Sequence, residues 1–258
     1  MNTEVRGLVI RTVDLKETDR LVTIFTEEKG AITALARGAR SLKSRKLSAT
    51  MQFCYGRYVL YTQGDKHWIK EAELIESFFD IRQTIEGMAL ANYIAEILSH
   101  VTVAEAEQDL LRLSLNSLYA ISTGKYSLEK IKAAFEIRAV SILGFMPDVL
   151  ACQSCGEKSG DFFFNIMGGV IECRRCRDKR VSSREDYADP HESHIMCILS
   201  EGAKIALGYC LYSPIERIFS FNLSDDDMRL FARAAEEYIL NQLDHQFKSL
   251  DFYKSIKR

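Results

Sequence analysis

The sequence predicts an α+β protein: a five-stranded β-barrel at the N-terminus, then a helical domain interrupted by a four-cysteine insert. Three observations predict it. Short runs of alternating apolar residues recur through about residue 80. From Ile81 onward the apolar period becomes helical. Two CxxC pairs, Cys152-Gln153-Ser154-Cys155 and Cys173-Arg174-Arg175-Cys176, lie in the helical part with seventeen residues between them.

The 258 residues are 47% hydrophobic and 27% charged, a globular composition with ample core material. No apolar run approaches the roughly 18 residues of a membrane span. The first residues, Met1-Asn2-Thr3-Glu4-Val5-Arg6, lack the apolar centre of a signal peptide. A cytosolic, reducing compartment is therefore expected, where clustered cysteines read as metal ligands. The net charge of −2 gives no global sign of a polyanion partner, so a nucleic-acid surface requires local charge segregation.

The strands follow in order. Val5 to Val13 carries Val5, Val9 and Val13 on one face and Leu8 and Ile10 on the other, so both faces are expected to be partly buried. Asp14 to Asp19 is polar and turn-like. Arg20 to Thr26 alternates again. Glu27-Glu28-Lys29-Gly30 is a hairpin connection, with Gly30 free to take positive φ. Ala31 to Arg37 is a third strand. Tyr55 to Thr62 and Trp68 to Leu74 are two more, joined by Gln63-Gly64-Asp65-Lys66. Five short strands with a long excursion after the third suit a closed Greek-key barrel of the OB type. Strand count alone also admits another five-stranded β-domain.

The excursion places Arg37, Arg40, Lys43, Arg45 and Lys46 within ten residues and no acid among them. Gly38, Ser41 and Ser44 predict a flexible loop, and its cations suit a phosphate backbone. A merely solvated loop is the plain alternative. Aromatic residues lie close by. Tyr55 and Tyr61 share a strand face with Arg57, opposite Tyr58, and such a face is a candidate stacking platform for unpaired bases.

Helical stripes follow: Ala91, Ile94, Leu98 and Val101; Leu111, Leu115 and Leu118; and Leu128, Ile131, Phe135 and Ile142. Ser127 is an N-cap candidate, and Gly144 with Pro147 marks a stop. Arg177 to Glu185 is polar without a period. Helical pattern resumes near Ile195 and runs to about Tyr212, with a break near Ser200. Ser224 opens the last helix, with Asp225, Asp226 and Asp227 in its first turn.

Two CxxC knuckles point four thiolates at one centre. That set, Cys152, Cys155, Cys173 and Cys176, predicts one structural Zn²⁺ per chain with no open position for catalysis. Phe162, Phe163, Phe164 and Ile166 predict a hairpin between the knuckles, turning at Gly168-Gly169, which is the zinc-ribbon pattern. Four thiolates and Zn²⁺ sum to about −2, so Arg174, Arg175, Arg177, Lys179 and Arg180 favour the site by charge. Cys54, Cys197 and Cys210 read as core residues. His191 and His194 are surplus to a four-sulfur site. No nucleophile elbow, Walker loop, HExxH or dinucleotide fingerprint stands in usable context, and no enzyme is expected. The expected domains are 1–80 for the barrel, 81–150 with 190–258 for the helices, and 151–180 for the ribbon.

These pieces resemble the bacterial DNA repair and recombination-mediator family RecO. The resemblance rests on Gly7-Leu8-Val9-Ile10-Arg11, Glu17-Thr18-Asp19-Arg20-Leu21-Val22, Thr26-Glu27-Glu28-Lys29-Gly30 and Ala36-Arg37-Gly38-Ala39-Arg40. It continues in Ile142-Leu143-Gly144-Phe145-Met146-Pro147, in Cys152-Gln153-Ser154-Cys155-Gly156 and in Phe247-Lys248-Ser249-Leu250. Some members of that family lack part of the cysteine set; this chain has all four. The resemblance implies a cytoplasmic, nucleoid-associated protein that binds single- and double-stranded DNA and anneals complementary strands. It implies a complex with RecR that helps load RecA onto DNA coated by single-strand-binding protein. It also implies a site on the helical domain for that coating protein's acidic tail, with Lys132 and Arg138 as candidates. Two other classes remain open from the residues alone: a zinc-ribbon scaffold for protein contacts, and an RNA-binding OB protein.

Overall fold

A computed structural model of the chain describes residues 2–101, 107–182 and 196–256. It divides into two compact units, residues 1–125 with 247–258 and residues 126–246.

In the first unit, β1 (Asn2–Leu15), β2 (Asp19–Thr26), β3 (Gly30–Ala36), β4 (Cys54–Gln63) and β5 (Lys66–Ser77) close a barrel in the order β1-β2-β3-β5-β4. Only the β3–β5 pair is parallel, joined at Ala34↔His67 and Leu35↔Trp68. This five-stranded closure is the OB arrangement. Alternation sends Val5, Val9, Val22, Ile24, Tyr58, Leu60 and Ile69 into one core. The expected burial of both faces of β1 has a physical cause. Helices α1 (Ile85–His100) and α2 (Glu107–Thr123) pack on β1, and α2 also on β2. Leu8, Ile10 and Phe25 are thereby buried as fully as the barrel interior. Helix α7 (Lys248–Ile256) packs on α1, where Tyr93 meets Phe247 edge-on at 5.6 Å between ring centroids.

The excursion between β3 and β4 differs from the flexible loop expected of its glycine and serines. It is a string of turns, closed by backbone bonds such as Ser41 N–H to Gly38 O, Ser44 N–H to Ser41 O and Thr50 N–H to Lys46 O. Ala39 and Ala49 plug into the barrel core, and the buried Tyr58 hydroxyl donates to Ala49 O at 2.7 Å. Two small apolar side chains and one buried phenol therefore hold the segment against the barrel.

In the second unit, α3 (Leu128–Ile142) packs against α5 (Glu201–Tyr212) and α6 (Asp225–Gln242). Ser127, Ser200 and Ser224 each accept a backbone N–H at a helix N-terminus, as capping serines do. The Asp227 carboxylate accepts from both the Ser200 and the Ser224 hydroxyls, which ties two caps together. β6 (Phe162–Asn165) and β7 (Val170–Cys173) form the expected hairpin. Gly169 turns it with φ +63°, and a Cβ there would stand 2.6 Å from the Tyr238 hydroxyl.

Two segments differ from their sequence expectation. Met196–Leu199 is a strand, β8, pairing with the free edge of β6; Ser200 then caps α5 rather than interrupting a longer helix. A four-residue apolar run has no period to distinguish strand from helix. The polar stretch that begins at Arg177 is helical as far as it is described, within α4 (Arg174–Ser182), which has no fully buried residue. No apolar stripe marks it because little of it needs covering. Residues 183–195, including His191, His194 and Ile195, lie outside the described residues. No described helix is long and apolar enough to cross a membrane.

Candidate metal centre and nucleic-acid interface

The two knuckles come together as their spacing predicts. All four sulfurs of Cys152, Cys155, Cys173 and Cys176 lie within 4.8 Å of one another. The Cys155 and Cys173 sulfurs are 3.7 Å apart. Zn–S bonds of ~2.3 Å in a tetrahedron require sulfurs about 3.8 Å apart, so the donor set fits such an ion. Backbone bonds shape the first knuckle: Gly156 N–H to Cys152 O, Cys152 N–H to Glu157 O and Gln153 N–H to Ile171 O. The second knuckle spans the junction of β7 and α4, and Cys173 N–H donates to the Cys152 sulfur at 3.3 Å. The Cys155 thiol is held at about 6, chiefly by the backbone N–H of Glu157, then by Cys176 and Arg175. Cys176 is pushed up to about 12, first by its hydrogen bond to Cys155 and then by burial. A metal ion bound by these four cysteines would replace this sharing of protons with thiolate bonds.

The ribbon's cations are mostly engaged within the ribbon. Arg175 hydrogen-bonds Cys155. The Arg177 guanidinium lies over the Phe163 ring, 3.8 Å from its centroid. Arg180 pairs at 2.9 Å with Glu172, whose side chain is 3% exposed. Arg174 and Lys179 are exposed.

The five basic residues of the excursion are placed differently. Arg37, Lys43 and Arg45 are exposed, with no hydrogen bond or ion pair among the described residues. Arg40 donates to Lys16 O and Glu17 O, each at 3.2 Å, and pairs with Asp14 at 3.2 Å. Asp14 also binds Arg20 at 2.8 Å, so one carboxylate serves two guanidiniums. Its pKa lies below the usual carboxylate value, mainly through the Arg20 hydrogen bond. Lys46 donates to Ile69 O at 3.3 Å. The carbonyl anchor fixes Lys46 without neutralising it, whereas Arg40 shares the Asp14 carboxylate with Arg20.

The expected Tyr55–Arg57–Tyr61 face exists, since all three point outward from β4 while Tyr58 points in. It is not uniform. Tyr55 donates to Glu27 at 2.7 Å, and burial, followed by Glu27, pushes its phenol up to about 12. Arg57 is held by Glu73 and, at 3.5 Å, by Glu4. Tyr61 alone has aromatic and cationic company: Trp68 with centroids 5.8 Å apart, and the Lys70 ammonium 5.0 Å from its ring centroid. Lys70 escaped the sequence reading. The signal for it was the register of the β4–β5 hairpin, which sets Tyr61 opposite Trp68.

Lys132 and Arg138 are committed to the interior of the second unit. Lys132 is buried and bridges Glu136 and Glu236, at 2.8 Å to each. Burial alone would depress its pKa, but the two carboxylates more than reverse that. Arg138 donates to the carbonyls of Leu211 and Ser213 at the end of α5.

Comparison with known proteins covers both units. The family described as Recombination protein O N terminal matches residues 1–78, and Recombination protein O C terminal matches 82–251. The DNA repair protein RecO of Acetivibrio thermocellus is 33% identical over 254 residues, covering 98% of this chain and 96% of that protein. That of Symbiobacterium thermophilum is 29% identical over 259 residues, covering 98% and 97%. That of Listeria monocytogenes serotype 4b is 33% identical over 174 residues, covering 67% and 68%. A closed N-terminal barrel, a clustered four-cysteine centre and matches along nearly the whole length agree: the chain belongs to the recombination protein O (RecO) family of DNA repair proteins.

Proposed function

We propose that this chain is a non-enzymatic recombination mediator. In this reading it binds single- and double-stranded DNA, anneals complementary strands, and with RecR helps load RecA onto DNA coated by single-strand-binding protein. One observation carries the DNA-binding part: Arg37, Lys43 and Arg45 project from turns pinned to a closed barrel, with no acid in the segment. Family membership supports the rest. Annealing needs no catalytic group. Two strands repel through their phosphates, and a cationic surface that holds one of them lowers that repulsion and frees its bases to pair.

The four-cysteine centre holds one Zn²⁺ as a clamp on the ribbon, supplying stability rather than chemistry. In this reading the acidic tail of the coating protein binds the helical domain, with Lys132 and Arg138 weakened as candidates because their charges serve internal partners.

The test is annealing of complementary oligonucleotides, bare and coated with single-strand-binding protein, with and without RecR. Accelerated annealing of bare strands, extended to coated strands, is expected. A chain that anneals neither substrate is not a mediator of this kind.

A further inference from the structure

The groove on the outer barrel face is electrically divided. It measures about 460 Å³, and its walls include Arg45, Lys46 and Lys70 together with Glu4, Glu71 and Glu73. The β4–β5 register grades these charges along β4, with Lys70 at the boundary beside Glu71. Glu73 lies opposite Arg57, and Glu71 opposite Val59. Trp68 lies opposite Tyr61, four residues further along β4 and so about 13 Å away. Lys46 reaches the same end, bonding the carbonyl of Ile69 next to Trp68. A phosphate at the Arg57 end faces carboxylates that already hold the guanidinium. A phosphate at the Tyr61 end faces Lys46 and Lys70.

We infer that the half-buried Tyr61–Trp68 pair is a stacking site for one unpaired nucleobase, with Lys46 and Lys70 on the flanking phosphates and Glu4, Glu71 and Glu73 ending the track. This rests on the mediator reading and locates where an unpaired base is gripped. The rings lie tilted at 39°, and Lys70 now covers one face of Tyr61. An ammonium on a long flexible stem moves readily from a ring to a phosphate. Aromatic stacking with adjacent cations is a sequence-tolerant way to hold single strands. Tyr55 and Arg57, on the same face, stand outside the site because carboxylates occupy them.

Trp68 is the chain's one tryptophan, so its fluorescence reports on this site alone. The experiment titrates the full chain with a labelled thymidine oligomer and with an abasic oligomer of equal length. Binding is read by anisotropy and Trp68 emission in parallel. The thymidine oligomer is expected to quench Trp68, and Tyr61→Ala to weaken its binding about tenfold, the loss of one stack. The abasic oligomer is expected to bind without quenching and to ignore Tyr61→Ala. Binding of the thymidine oligomer without quenching, or equal quenching by both oligomers, overturns the stacking site and leaves the mediator reading standing. Failure of both oligomers to bind overturns the mediator reading itself. Should Tyr61→Ala melt early, the two oligomers on the unaltered chain decide the question.

Discussion

The barrel turns and the ribbon helix each carry five basic residues within a short stretch of chain, yet they spend those charges differently. In the ribbon, Arg175 serves a thiol, Arg177 a ring face and Arg180 a buried carboxylate. Their partners are negative or electron-rich, so the charge is largely consumed where it sits. In the barrel turns, Lys46 is anchored on a backbone carbonyl, Arg40 on two carbonyls and the Asp14 carboxylate it shares with Arg20, and Arg37, Lys43 and Arg45 project. A carbonyl positions a cation and leaves its charge available. Counting basic residues rates the two segments as equals; only their partners separate them.

The strongest way to break this comparison is at the metal. Cys173→Ser, or chelation, should remove the proposed metal clamp, which would stabilise by on the order of 10 kcal/mol, and so unfold the ribbon. Circular dichroism and DNA binding measured on one sample are expected to show lost ribbon structure and a smaller loss of DNA affinity. A fully folded Cys173→Ser chain that no longer bound DNA would make the ribbon a direct DNA contact.

Lys132 is the same kind of consumed charge carried to full burial. Lys132→Met should cost about 3–5 kcal/mol, because Glu136 and Glu236 lose their shared ammonium. A denaturant midpoint shift of that size, with the DNA salt dependence unaltered, is expected. A stable variant with weakened DNA binding would contradict it.

Glu172→Gln sharpens the contrast in the other direction, since it removes a buried carboxylate that Arg180 pairs with. The slope of log K against log salt for single-stranded DNA should steepen by up to about 0.7. No change in a folded variant would mean that the loss of Glu172 makes no further cation available to a phosphate.

The smallest effect concerns pH. The Asp227 pKa lies below its usual carboxylate value because the Ser200 and Ser224 hydroxyls donate to it. Its folded pKa is depressed, so its stabilisation is complete above about pH 4, the unfolded value, and fades as pH falls through the folded one. Asp227→Asn should flatten the acid limb of the stability profile and change little at neutral pH. An unchanged acid limb would remove Asp227 from the account.

Much of this was legible in the chain because period and spacing are local. The alternation of Val5 to Val13 and Arg20 to Thr26, the capping serines Ser127 and Ser224, and the CxxC spacing all showed directly. What did not show depended on partners distant in sequence. Lys132 lay beside an apolar stripe, but α3 is buried nearly all round, and only α6 supplies Glu236. Arg57 shared a face with Tyr61, but Glu73 and Glu4 from neighbouring strands claim it. The turns between β3 and β4 looked flexible because Ala39 and Ala49 are too small to announce that they fill a core.

The most direct measurement is the salt dependence of single-stranded DNA affinity for two variants, Arg37→Ala/Lys43→Ala/Arg45→Ala in the barrel and Arg174→Ala/Lys179→Ala in the ribbon. Three lost phosphate contacts should reduce the barrel variant's slope by about two, while the ribbon variant keeps the original slope. A flattened slope in the ribbon variant beside an unaltered barrel variant would contradict the account at its centre.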